Sequence, residues 1–307
     1  MFHYKAFQWL FFFYLYCFLG WCFESAYVSL KSKKLVNRGF MRGPFLPLYG
    51  SGAIMMLIVS MPFQENIFLT YIAGVIGATA LEYVTGVTME ALFKVRYWDY
   101  SDQPFNFQGH ICLSSSLAWG FLTILMTKVI HRPVEQFVLS IPGEVLFPVT
   151  MFLTIYIVAD FTLSFKAAME LRDILIRMQR LKEEVERLQR RLDVIIAFNN
   201  AEKEQRRQEG ELSLAELSLG VKQRFANLKE MIQSKPAAYG ESIREEIAEL
   251  RGRFSHYTEA QKGYREMLGF YKRDMIRNNP TMASVKFKNA LEELKRIVSG
   301  EQRMDEE

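Results

Sequence analysis

Apolar residues form long runs over the first 165 positions of the chain and recur at helical spacing over the remainder. Five membrane-spanning helices are predicted, over residues 7–30, 47–61, 68–93, 111–130 and 145–165. A bilayer core needs about 20 apolar residues in a helix, so the second span is short. Residues 131–143 contain Pro133 and Pro142 and are too few to span, so they are expected to lie at the membrane interface.

The second half of the chain has apolar residues spaced alternately by three and four, which is typical of a coiled-coil seam. A first seam comprises Leu171, Ile174, Met178, Leu181, Val185, Leu188, Leu192 and Ile195. A second comprises Ile243, Ile247, Leu250, Phe254, Tyr257, Tyr264, Leu268, Tyr271 and Met275. The two seams predict a coiled-coil helical hairpin or bundle within one chain. A homo-oligomer or another helical partner, paired through the coiled coil, is the alternative.

Charge changes abruptly between the two halves. Residues 1–165 contain 19 charged side chains and residues 166–307 contain 53. We therefore expect an all-α protein with a transmembrane domain of about five spans over 1–165 and a cytosolic helical domain over 166–307. The second domain has 28 basic and 25 acidic residues, a mixture that does not favour nucleic-acid binding. The partner of the first domain is the lipid bilayer.

Basic residues in the loops predict the orientation in the membrane, because Lys and Arg are enriched on the cytoplasmic side. Five of them lie between the first two spans: Lys31, Lys33, Lys34, Arg38 and Arg42. None lies in residues 62–67. A multi-pass protein with its N-terminus outside and its C-terminal domain in the cytoplasm is expected.

Four carboxylates lie within predicted spans, where a charge is costly and often marks function: Glu24, Glu82, Glu90 and Asp160. They are candidates for a substrate or ion pathway. Glu82 and Glu90 share one helix face and Glu82 lies near mid-depth, without a basic residue at its level. The alternative is structural: Glu90 pairs with Arg96 or Arg42, and Glu24 pairs in the same way.

Two loops are rich in glycine, proline and polar residues. The first contains Asn37, Arg38, Gly39, Gly43, Pro44, Pro47, Tyr49, Gly50 and Gly52, a composition that predicts irregular backbone entering the membrane. An ordinary turn at the membrane interface is the alternative. The second contains Arg96, Trp98, Asp99, Asn106 and Gly109. Trp98, with Tyr97 and Tyr100, suits an aromatic belt at the membrane interface, whereas Asp99, Asn106 and His110 are candidates to cap helices or bind a ligand.

These motifs together resemble a known family. The pattern Asn37-Arg-Gly-Phe, Gly43-Pro and Tyr49-Gly, then Glu82 and Glu90, then Trp98-Asp-Tyr-Ser and Ile111-Cys, is similar to that of CmpB-like bacterial membrane proteins, the type IV ABC-transporter permease family. The resemblance covers about residues 11–165. It implies an integral protein of the bacterial inner (cytoplasmic) membrane that serves as a transporter subunit.

The sequence lacks several motifs that nucleotide-hydrolysing and other enzymes carry. The sequence has no Gly-x-x-x-x-Gly-Lys-Ser/Thr phosphate loop, so a permease would need a separate ATP-binding subunit. It also lacks His-Glu-x-x-His and Gly-x-Ser-x-Gly, so no catalytic residue is assigned and an intramembrane enzyme is disfavoured. The three cysteines, Cys17, Cys22 and Cys112, form no Cys-x-x-Cys pair and have no histidine cluster nearby, so no metal site is predicted, and no cofactor is predicted either. A membrane-anchored coiled-coil scaffold or sensor is the alternative to the permease.

Overall fold

The computed structural model describes residues 4–199, 214–234 and 241–299. The helices, in chain order, are α1 (Ala6–Ser32), α2 (Pro47–Ser60), a 3-10 turn (Met61–Phe63), α3 (Ile67–Phe93), α4 (Leu113–Leu125), a π-helical segment (Met126–Ile130), α5 (His131–Ser140), α6 (Gly143–Asn199), α7 (Leu214–Ser234), α8 (Glu241–Met267), α9 (Phe270–Asn278) and α10 (Lys288–Ser299). Two short strands, β1 (Asn106–Phe107) and β2 (Ile111–Cys112), pair antiparallel. The predicted all-α class is confirmed.

The chain divides into two compact units. The first, here called the membrane unit, comprises Met1–Met169 and Tyr271–Ala283; the second, the charged unit, comprises Glu170–Phe270 and Ser284–Glu307. The membrane unit thus includes a short segment that follows most of the charged unit in sequence.

Four helical stretches among the described residues are long and apolar enough to cross a bilayer: Ala6–Ser32, Ile67–Phe93, Leu113–Ser140 and Gly143–Ile196. The stretch Pro47–Phe63, predicted as the second span, is apolar but shorter. The polytopic helical character is therefore confirmed, while the total of five spans stays a prediction.

The fourth predicted span does not end where the sequence pattern suggested. We expected a break near residue 131, but α4 continues through the π-helical segment into α5 and ends at Ser140. A proline ring collides with the carbonyl four residues earlier in a regular α-helix, which for Pro133 is that of Val129. Val129 lies in the wider π-helical turn, which gives the ring room and lets the helix continue.

Close contact between α1 and α2 depends on a loop-motif glycine. A Cβ atom on Gly50 would overlap the sulfur of Cys17 and lie 2.7 Å from the carbonyl oxygen of Phe13. Just before α2, the backbone N–H of Leu46 donates to the Cys17 carbonyl at 3.0 Å. Among the described residues nothing lies within 4 Å of a Cβ built on Gly52. Gly50 therefore allows the helices to approach, whereas Gly52 has no such role.

The charged unit has its own apolar core. Val185, Leu188, Leu192 and Ile195 of α6 are buried in one cluster with residues of α7 and with Leu250 and Phe254 of α8. Members of both predicted seams therefore pack together within one chain. The second seam is not continuous, because α8 ends at Met267 and α9 begins at Phe270. Coiled-coil geometry itself stays a prediction.

Candidate functional site

The polar residues singled out in the sequence gather mainly at one end of the membrane unit. This end, called the loop face, consists of residues 33–46, residues 94–112 and the segment Tyr271–Ala283. Gly39 in the first loop has a φ of 139° and Gly109 in the second a φ of 73°, a region that side chains rarely adopt. Residues 33–46 form no helix or strand, as predicted for the first loop motif, whereas its later members Pro47, Tyr49, Gly50 and Gly52 lie within α2. Side-chain hydrogen bonds hold both loops in place.

Glu82 is buried on α3 with only 5% of its surface exposed. Its carboxylate accepts hydrogen bonds from the Tyr100 hydroxyl at 3.1 Å, the Trp119 indole N–H at 2.9 Å and the Ser115 hydroxyl at 3.4 Å. Within the described part of the chain no Lys, Arg or His forms an ion pair with Glu82. The sequence indicated this, because no basic residue lies at the same depth in the predicted spans. Glu82 is therefore solvated by neutral donors instead of a counter-ion.

The sequence did not single out Ser115 or Trp119 as site residues. Both lie on α4, which packs against α3. The sequence contains only a weak indication of their role, which is that a run of serines precedes Trp119 in an otherwise apolar helix. An indole N–H that is removed from water needs an acceptor, and a carboxylate on a neighbouring helix provides one.

Glu90, two turns further along α3, has a charged environment. Its carboxylate receives a hydrogen bond from Arg96 Nε at 2.8 Å and contacts His110 Nε2 at 3.1 Å. Arg96 also donates to Asp99 at 3.2 Å through Nη1. Of the two arginines considered from the sequence, Glu90 pairs with Arg96, whereas Arg42 lies 3.5 Å from Asp274.

Burial and neighbouring charges determine the protonation states of Asp99 and His110. Burial opposes the charge on Asp99, but hydrogen bonds from Ser101 and the nearby Arg96 outweigh burial and lower the pKa of Asp99. Burial also lowers the pKa of His110, and the charge on Arg96 adds to that effect against the opposing pull of Glu90. At neutral pH Asp99 is therefore ionised and His110 is neutral, so the His110 Nε2–H donates to Glu90.

Arg38 connects Glu24 to the rest of the loop face. Glu24 accepts from the Tyr49 hydroxyl at 2.6 Å and from Arg38 Nε at 3.4 Å. Arg38 Nη2 donates at 3.0 Å to the carbonyl of Tyr97, which follows Arg96 in the second loop. The guanidinium is 11% exposed, so its donors are satisfied almost entirely by protein.

The remaining donors of Arg38 bind residues of the segment Tyr271–Ala283. Nη1 donates to Asn279 Oδ1 at 2.8 Å, and Nη2 donates to Thr281 Oγ1 at 3.0 Å. The amide of Asn279 in turn donates at 2.9 Å to the carbonyls of Gly39 and Met275. Asn279 is 1% exposed, so its amide is shielded from water. Arg38, Asn279 and the two carbonyls that accept from the Asn279 amide are together called the clasp.

A backbone bridge attaches the same segment to the second loop. The N–H of Arg96 donates to the Ala283 carbonyl at 2.7 Å, and the N–H of Ala283 donates to the Arg96 carbonyl at 2.9 Å. In addition, the Tyr97 hydroxyl contacts the sulfur of Met275 at 3.5 Å. Sequence reasoning missed this docking because the segment begins within a seam pattern and lies more than 150 residues after the second loop.

The other predicted residues hold the loops. The Gly43 N–H donates to Asp160 of α6 at 2.8 Å, so Asp160 binds backbone of the first loop. Asn37 accepts from the Trp21 indole at 2.5 Å and donates to the Arg42 carbonyl at 2.7 Å. These contacts order the first loop without joining Asp160 to the other three acids.

In the second loop, the indole of Trp98 donates to the His110 carbonyl at 2.9 Å. Asn106 donates to the Gln103 carbonyl at 2.8 Å and accepts from the Gly109 N–H at 3.2 Å. Pro47 occupies the first turn of α2, where its missing N–H costs nothing, and Pro44 precedes it in the first loop. Within the described residues no three His, Cys, Asp or Glu side chains are grouped to hold a metal.

We expect Asn279→Ala to loosen the loop face. The substitution leaves an Arg38 donor and two backbone carbonyls without their partner, and such buried groups cost about 1–3 kcal/mol each. The full-length protein in detergent should therefore show a lower thermal unfolding midpoint by intrinsic fluorescence. Asn278→Ala is the matched control, because the Asn278 side chain makes no hydrogen bond with any described residue, and its midpoint should stay close to wild type. Equal midpoints for the two variants would contradict the clasp.

A family profile described as "Putative ABC-transporter type IV" matches residues 11–165, about half of the chain. That range contains Glu24, Glu82, Glu90 and Asp160 together with both loops, but not the segment Tyr271–Ala283. Searches of curated proteins and of solved structures returned no match. Because the profile covers half of the sequence and the part that holds the predicted motifs, the chain belongs to the putative type IV ABC-transporter family, as the sequence resemblance indicated.

Proposed function

We propose that this chain is the membrane subunit of an ABC transporter and works with a separate ATP-binding subunit. The observation that carries the proposal is the family match over the membrane unit, combined with four acids in its apolar helices, of which Glu82 is buried. The sequence has no phosphate-binding loop of its own, so ATP hydrolysis belongs to the partner. The chain itself catalyses no reaction in this proposal.

Glu82 is the residue proposed to exchange a proton or cation with the transported solute. Glu24 and Glu90 already have cationic partners, whereas Glu82 is surrounded by hydroxyls and an indole. Hydroxyl groups can donate to or accept from a passing ion, and a carboxylate provides the charge. Glu24, Glu90 and Asp160 line or support the same pathway from the loop face.

The loop face is proposed to be cytoplasmic, in the inner membrane of a bacterium, with the N-terminus outside. Residues 31–42 supply five basic side chains to this face and Lys94 and Arg96 supply two more. The ATP-binding subunit would meet this face, and the charged unit would lie in the same compartment.

A scaffold or sensor is the second candidate. The charged unit supports it, because it has a separate apolar core built from both seams. In that case the working surface is a helical one that pairs with another protein or with a second copy of the chain, and the buried acids only stabilise the bundle.

Affinity purification of the full-length chain from native membranes separates these candidates. The permease proposal predicts a co-purifying protein that contains a phosphate-binding loop and hydrolyses ATP. Membranes expressing the same tag on an unrelated membrane protein are the control. Recovery of a soluble regulator with no ATP-binding protein would contradict the permease proposal and favour the scaffold.

Glu82→Gln tests the ion pathway. The amide oxygen still accepts from Trp119 and Ser115, and the amide nitrogen donates to the Tyr100 oxygen, so thermal stability should stay close to wild type. Growth complementation of a deletion strain should be lost, because the exchangeable charge is gone. Glu82→Leu is the comparison: it leaves those donors without an acceptor and should destabilise the protein by about 1–3 kcal/mol. A folded Gln variant with wild-type function would remove Glu82 from any ionic mechanism.

Thiol labelling tests the orientation. Leu35→Cys, Glu65→Cys and Asp102→Cys each place a thiol at an exposed position, in a background where the exposed Cys22 is replaced by Ala. A membrane-impermeant maleimide added to intact cells should label only Glu65→Cys, and permeabilised cells should label all three. Labelling of the Leu35 and Asp102 variants in intact cells would reverse the proposed orientation.

A further inference from the structure

A second polar cluster lies among helices away from the loop face. A cavity of about 120 Å³, called the π-segment cavity, opens between the end of α2, the start of α3, the π-helical segment and α5. The residues that matter for its chemistry are Ser60, Thr70, Thr127, Lys128, Arg132 and Glu135. None of them belongs to the network around Glu82 or Arg38.

The hydroxyl hydrogens of this cavity are all engaged in hydrogen bonds to backbone carbonyls. Ser60 donates to the Leu57 carbonyl at 3.0 Å, Thr70 to the Phe63 carbonyl at 2.8 Å and Thr127 to the Thr123 carbonyl at 2.8 Å. Ser60 and Thr70 are fully buried. Each oxygen retains acceptor capacity, so a ligand in contact with them must supply N–H or O–H donors.

The cavity also contains charged side chains, two of which donate hydrogen bonds instead of accepting them. Lys128 donates to the Gln64 carbonyl, which leaves it further N–H groups. The Arg132 side chain is exposed and has no hydrogen-bond or ion-pair partner among the residues that the structure describes. Glu135 accepts from the Tyr4 hydroxyl and retains acceptor sites. The cavity therefore combines two cations, which can bind an anionic group, with one carboxylate and several hydroxyl oxygens, which can accept from a donor.

Hydrogen bonds to α1 and the residues before it fix the start of α5, which forms one wall of the cavity. Both ring nitrogens of His131 are hydrogen-bonded to tyrosine hydroxyls of the N-terminal region, Nε2 to Tyr4 at 3.0 Å and Nδ1 to Tyr16 at 2.7 Å. Thr127 and Lys128 lie within the π-helical segment, a helix form that occurs frequently at functional sites. Its wider turn changes the direction in which these residues face relative to a regular helix.

We propose that the π-segment cavity binds a small zwitterion, with an anionic oxygen group at Lys128 and Arg132 and an ammonium group at Glu135 and the hydroxyl oxygens. A cavity of about 150 Å³ accommodates benzene, so the space suits a solute as small as alanine, which has the same number of non-hydrogen atoms. A phosphoethanolamine lipid headgroup carries the same pair of charges. The shared chemistry is an anion and an ammonium a few bonds apart.

Equilibrium dialysis of radiolabelled alanine against the full-length protein, delipidated in dodecyl maltoside, measures this binding directly. Saturable binding is expected, with displacement by phosphoethanolamine and at least tenfold weaker displacement by acetate or ethylammonium, which each carry one charge. The measurement needs no ATP-binding partner, so its result is independent of the transporter proposal.

Three variants locate the site. Arg132→Met should weaken alanine binding at least tenfold, whereas Arg132→Lys should retain most of it. Lys31→Met removes a cation at the end of α1, far from this cavity in sequence and outside its lining, and should leave binding unchanged. Glu135→Gln keeps an acceptor for Tyr4 but removes the charge, so alanine should lose its advantage over acetate.

Nanodiscs distinguish a free solute from a lipid. If the natural occupant is a headgroup, phosphatidylethanolamine nanodiscs should block labelled alanine and phosphatidylglycerol nanodiscs should not. If it is a free solute, alanine should bind equally in both. No saturable alanine binding in detergent, equal displacement by acetate and phosphoethanolamine, or wild-type binding by Arg132→Met would each overturn the proposal.

Discussion

A buried guanidinium needs acceptors for its donors, and the loop face of the membrane unit is built around that need at Arg38. The acceptors come from three separate parts of the chain: Glu24 of α1, the Tyr97 carbonyl of the second loop, and Asn279 with Thr281 of the C-terminal segment. A planar group with several donors in a fixed fork holds all of these partners at defined angles. One side chain therefore fixes the positions of three segments relative to each other.

The buried acids are stabilised in two different ways. Glu24 and Glu90 each contact an arginine, so much of the cost of removing their charge from water is offset by attraction. Glu82 receives only neutral hydrogen bonds. A neutral donor stabilises a carboxylate less than a cation does, which leaves Glu82 the more responsive of these acids to an ion that enters the bundle.

Polar groups at the loop face and in the π-segment cavity are arranged differently. At the loop face, side chains mostly satisfy one another and the backbone, as the Arg38–Asn279 clasp illustrates. In the cavity, the exposed Arg132 side chain has no partner among the described residues, and the hydroxyls have spare acceptor capacity. The first arrangement suits a rigid coupling surface, whereas the second suits a ligand that supplies the missing partners.

The sequence by itself determined the features that depend on local pattern. Apolar runs identified the membrane helices, and three-four spacing identified the seams, because hydrophobic periodicity follows directly from helix geometry. The loop motifs indicated the family, and the lack of a basic residue at the depth of Glu82 indicated that it has no counter-ion. The choice of Arg96 over Arg42 for Glu90 stayed open, because both lie in loops whose path is not periodic.

Tertiary structure alone decided which distant groups meet. Nothing in the spacing around Asn279 shows that its amide contacts Gly39, since the contact depends on the chain returning after more than 200 residues. In the same way, the helix passes Pro133 because a π-helical turn absorbs the clash, a solution that periodicity does not predict. Local sequence determines which segments are helical and apolar, whereas long-range hydrogen bonds depend on packing, which is a property of the whole chain.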